Sequence, residues 1–141
     1  MAYHRIKDSI LIAAIGLVFS ACAAKQELST RTPVPKTVLE SSLPARKVFE
    51  ISENYLEYHL GYALRVRDLE RGLIVSDWAA ENPAERQQIT LRVSANHPGS
   101  LVSAHVKTEA FTDEGWRDIP TSGDREAKFL ADLQTYLNQK H

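Results

Sequence analysis

Gln88-Ile89-Thr90-Leu91-Arg92-Val93-Ser94 alternates apolar with polar residues at every step. After the turn residues Asn96-His97-Pro98-Gly99, the stretch Leu101-Val102-Ser103-Ala104-His105-Val106-Lys107-Thr108-Glu109-Ala110-Phe111 alternates again. Side chains of a strand point to opposite faces in turn, so a period of two marks a strand with one face buried. Ile89, Leu91, Val93, Val102, Ala104, Val106 and Ala110 face one way; Thr90, Arg92, Ser103, His105, Lys107 and Glu109 face the other. The two stretches and their turn predict an antiparallel sheet with one wet face.

Two shorter runs precede this pair. Residues 63–67 and 73–78 read as strands around the turn Asp68-Leu69-Glu70-Arg71-Gly72. Before them the period changes, and a helix is predicted from residue 43 or 44 to 60. Ser42 is its expected N-cap, and Pro44 suits its first turn. At about 100° per residue, Val48, Ile51, Tyr55, Tyr58, His59 and Tyr62 share one side, with Glu50, Glu53 and Glu57 opposite. Gly61 suits the position just past the helix end. A second helix is predicted over residues 124–139, with Phe129, Leu130, Leu133, Tyr136 and Leu137 on its apolar arc. Glu126 falls within that arc but near the first turn, where fraying is expected. The order α-β-β-β-β-α gives an α+β fold, a two-layer sandwich of a four-stranded antiparallel sheet with flanking helices.

The N-terminus carries a different signal. Arg5 and Lys7 precede the apolar run from Ser9 to Ala21, which ends at Cys22, the single cysteine of the 141 residues. A basic head, an apolar middle and small residues before a cut make a secretory signal. The run is shorter than the roughly 18–20 residues a membrane-spanning helix needs. Phe19-Ser20-Ala21-Cys22 resembles the lipobox of bacterial lipoproteins; Phe19 departs from the usual aliphatic residue there. The resemblance implies cleavage after residue 21 and lipidation of Cys22, so that the membrane is held through acyl chains. One chain anchors only marginally, two or more stably. Ala23, rather than an Asp, after the cysteine implies the outer membrane, with the folded part facing the periplasm. Residues 22–40, with Pro33 and Pro35, read as a lipidated tether, and residues 41–141 as a single domain. A chain starting near Ser41 is expected to fold alone.

Loss of Arg5, Lys7 and Asp8 with the signal takes 17 basic and 18 acidic side chains to 15 and 17. That balance is too near neutral to point to nucleic acid as a partner. A lone cysteine leaves no disulfide within the chain, so packing must hold the domain.

The segments Ala45-Arg46-Lys47-Val48-Phe49-Glu50-Ile51, His59-Leu60-Gly61-Tyr62 and Arg67-Asp68-Leu69-Glu70-Arg71-Gly72-Leu73-Ile74-Val75-Ser76-Asp77-Trp78 resemble small outer-membrane lipoproteins of the type represented by the C subunit of the β-barrel assembly complex. The resemblance covers roughly residues 44–138, by pattern more than identity, and implies one helix-grip module where that relative has two.

No spacing marks a reaction centre. His59, His97 and His105 form no His-x-x-x-His pair, and Ser52, Ser76 and Ser103 lie in no nucleophile motif. Asp113 and Glu114 read as a solvated turn. The sequence therefore points to no catalytic residue, no metal and no cofactor. Trp78 and Trp116 read either as core or as an aromatic patch at a sheet end. With Thr90, Arg92, His105, Lys107 and Glu109 they form the candidate interaction surface for an envelope protein partner. The rival expectation is a carrier of a small apolar ligand in a helix–sheet cavity, with a periplasmic enzyme third.

Overall fold

The computed structural model describes residues 37–140, all within the compact unit Thr32–His141. The fold is α+β, with an antiparallel sheet and two α-helices. The expected pair of alternating stretches is its centre. Strand β5, Glu85–Asn96, and strand β6, Gly99–Thr112, form one long hairpin in the register Ile89↔Val106. Beside β5 run β3, Leu73–Ser76, and β4, Ala79–Asn82; β2, Leu64–Asp68, pairs with the far side of β3. Beside β6 run β1, Val38–Ser41, and β7, Gly115–Ile119.

The sheet thus has seven strands where four were expected. β1, β4 and β7 are the additions, each four or five residues long and each paired to one end of the central hairpin. β1 also corrects the domain start. It crosses the boundary expected at residue 41, and Leu39 is buried in the core. A chain beginning at Ser41 would lose most of this strand and the buried Leu39.

Helix α1, Ala45–Asn54, and helix α2, Asp124–Gln139, cover one face of the sheet. Val48, Phe49 and Ile51 from α1 and Phe129, Leu130, Leu133 and Leu137 from α2 meet Ile74, Ile89, Leu91, Val93, Val102 and Val106. α1 starts after Pro44, with no side-chain cap, rather than at Ser42. It runs on into a π-helical turn, Tyr55–His59, closed by the Leu60 N–H to Tyr55 C=O bond. The wider turn breaks the 100° spacing. Tyr55 and Leu56 stay buried, whereas Tyr58 and His59 leave the inward face and are exposed.

Glu126 is also corrected. It does not fray but lies 4% exposed under α2. Strands β1 and β7 leave a gap on the edge of β6, and Glu126 fills it: its Oε1 accepts the Val106 backbone N–H at 3.0 Å. A carboxylate takes such a bond more strongly than a neutral acceptor would. Among the described residues no helix is long and apolar enough to cross a membrane.

Candidate functional site

The outer face of the sheet, opposite the helices, carries the candidate site. Its geometry begins at a corner. β3 leaves β5 after Ser76, whose buried hydroxyl accepts the Ile89 N–H at 2.8 Å and donates to the Asp77 carbonyl at 2.8 Å. Asp77 Oδ1 accepts the Trp78 N–H at 2.8 Å, and Ala79 then pairs with Gln87. These bonds satisfy backbone groups that the bend takes out of the ladder, and they fix the place of Trp78 beside β5.

Register supplies the rest. Arg86 lies directly opposite Glu109, and Glu109 opposite Asp118. Phe111 lies opposite Trp116 in the β6–β7 hairpin, their rings edge to face at 5.3 Å. Opposite charges at directly paired positions attract across the strands. Here the pair is tight: Glu109 Oε2 accepts from Arg86 Nε at 2.8 Å and from Nη2 at 2.6 Å. Lys107 donates to Glu109 Oε1 at 3.2 Å and reaches Asp118 at 3.0 Å. Both indoles lie against the Arg86 guanidinium, Trp78 at 4.5 Å and Trp116 at 4.3 Å, and Lys107 sits 5.4 Å from the Trp78 ring. A cation over an indole is worth about 0.5–1 kcal/mol when exposed and more when water is excluded.

Covered in this way, Glu109 is buried although it points to the wet face. Removing ions from water offsets much of their attraction, so the network contributes geometry more than stability. Its result is a fixed aromatic ridge whose outer parts remain open, with Phe111 60% and Trp116 37% exposed.

Of the seven surface residues expected from sequence, Trp78, Trp116, Lys107 and Glu109 converge here. Thr90 and His105 pair across the hairpin on the same face, and Arg92 lies opposite Ser103, farther along it. His105 belongs to a different neighbourhood: its Nδ1 stands 3.5 Å from Glu126 Oε1 at the open edge. Cys22 lies outside the described residues. Arg86, the centre of the cluster, was missed because the strand was expected to begin at Gln88; the alternation Arg86, Gln88, Thr90, Arg92 would have reached it.

The other singled-out side chains have structural surroundings. His59 stacks on Tyr55 with ring centres 5.2 Å apart, and His97 is exposed in the central turn. Ser52 is wholly buried, and Ser103 lies on the outer face. Among the described residues no three His, Cys, Asp or Glu side chains are grouped as metal ligands.

Hydrogen bonds to Asp118 and then Glu109 push the Lys107 ammonium above its ordinary 10.5. A raised value means that the folded state favours the charged form. That contribution is complete below the unfolded value and is lost as pH rises through the folded one. The share of the network that Lys107 contributes is therefore expected to be kept from neutrality to pH 10.5 and lost above it, while Arg86 keeps its hold on Glu109. Tryptophan emission followed against pH should show an alkaline change larger than that of a Lys107→Met chain, in which the tyrosines still titrate. The same curve in both chains would remove Lys107 from the network.

No family model and no curated protein matches the chain.

Proposed function

We propose that the chain is a lipid-anchored, periplasm-facing module of the outer membrane that docks another envelope protein through its open sheet face. The observation that carries the docking half is the ridge of Trp78, Arg86, Trp116 and Phe111. Tryptophan and arginine dominate binding energy where interfaces have been dissected: the indole presents a large area with two rotatable bonds, and the guanidinium adds a planar, charged fork of donors. Here they are already held in place, so little ordering cost remains at binding. Both oxygens of Glu109 are engaged, which suits a positioning role and not proton transfer. The anchoring half rests on Phe19-Ser20-Ala21-Cys22 and the apolar run before it. The pattern resemblance to assembly-complex lipoproteins agrees with such a role, although a shared fold alone does not transfer function.

Two experiments test the halves separately. Cys22→Ser should move the protein out of the detergent phase, and unchanged fractionation would end the anchor assignment. Crosslinking and pull-down from native membranes tests the docking. Phe111→Ser with Trp116→Ser should cut recovery of the partner about tenfold or more, in a chain that still melts cooperatively, since Phe111 is 60% exposed and Trp116 gives up only its contact with the outer-face network. Undiminished recovery would place the contact elsewhere.

A further inference from the structure

On the other face of the sheet a cleft of about 350 Å³ opens between the π-helical turn, the inner sides of β5 and β6, and the first turns of α2. Its floor is aromatic, with Tyr55 edge-on to Phe129 at 5.7 Å. At one end Gln87 Nε2 donates to the Tyr62 hydroxyl oxygen at 2.5 Å. That bond uses one of the amide's two N–H donors and the phenol's acceptor side. It leaves the Tyr62 O–H as a donor and Gln87 Oε1 as an acceptor, side by side. Burial pushes the Tyr62 phenol up, so it keeps its proton at neutral pH. Thr108, paired with Gln87 across the hairpin, holds a buried hydroxyl with no partner among the described residues.

The rim adds a selection by charge. Arg125 pairs with Glu81 at 2.5 Å and Lys128 with Asp132 at 2.8 Å. Arg125 also stands 3.6 Å from Glu85, so both cations are held by carboxylates and the rim offers no free cation to an anionic occupant. A π-helical turn beside a cleft is also a frequent companion of functional sites. We infer that this cleft binds a small, neutral, planar ring with an amide-type edge, a carbonyl beside an N–H. Tyr62 would donate to the carbonyl and Gln87 Oε1 would accept the N–H, while Tyr55 and Phe129 take the ring. This site is independent of the outer-face ridge and of the anchor.

The test uses the full chain in lipid nanodiscs and two probes, α-pyridone and its N-methyl derivative. Ligand-observed saturation-transfer NMR should show α-pyridone binding saturably near 1 mM, about what so few atoms can supply. The N-methyl derivative should bind about tenfold more weakly, because its methyl leaves the Gln87 oxygen unpaired. Tyr62→Phe should weaken α-pyridone by a similar factor. If that chain fails to fold, the two probes on the unaltered protein still decide. Equal affinities for the probes, or no saturable signal from either, would overturn the assignment.

Discussion

Gly72→Ala is expected to lower the free energy of unfolding by at least about 3 kcal/mol. Gly72 ends the β2–β3 turn with φ +61°, a region L-residues adopt only under strain. Its carbonyl accepts the Val93 N–H at 2.7 Å, which brings the turn hard against β5. An added Cβ would stand 1.8 Å from the Val93 carbonyl oxygen. Both obstacles are backbone, so no rotamer change relieves them; β3 would have to move off β5. Since domains of this size are stable by only about 5–15 kcal/mol, a urea melt should show a large fall in midpoint. An unchanged midpoint would mean that the turn does not close on β5 as described.

Leu133→Ala is expected to cost about 2–5 kcal/mol. Leu133 is fully buried at the middle of the α2 stripe that covers the sheet. Truncation removes its transfer energy and leaves a cavity that β-strands on one side and α1 on the other cannot close. Lys128, on the same helix, is exposed and paired with Asp132 one turn on, so Lys128→Ala should stay within about 0.5 kcal/mol. Equal losses in parallel melts would contradict the two-layer packing.

The parts of the fold that sequence reveals are those whose period is long and uninterrupted. α2 has 16 residues with a single apolar stripe, and its bounds match the expectation. β5 and β6 alternate over enough residues to announce themselves. The short strands do not. Ala79-Ala80-Glu81-Asn82 has little intrinsic strand preference and is a strand because the edge of β5 is there to pair with it. β7 is likewise short, five residues in which Gly115 and Asp118 offset the strand preference of Trp116 and Ile119, and it pairs along the free end of β6. The π-helical turn left no mark either, because a wheel drawn at one fixed angle assumes that it is absent.

The site divides along the same line. Alternation alone sends Lys107 and Glu109 outward, and it makes two tryptophans at strand ends conspicuous. It does not say that Arg86 bridges them, since that follows from the Arg86↔Glu109 register. Nor does it identify Glu126 as the group that finishes an open strand edge. Such a role depends on where β1 and β7 stop, which is settled by tertiary pairing.

If the open sheet face meets the partner, a residue on the ridge must crosslink to that partner in the cell. A photoreactive phenylalanine is placed either at Phe111, on the ridge, or at Gln134, half-buried on α2 on the helix side of the sheet, and the cells are irradiated before membranes are prepared. A discrete protein adduct is expected from position 111 and none from position 134. An adduct from position 134 alone, or none from position 111 in a protein that is folded and anchored, would contradict docking through this face.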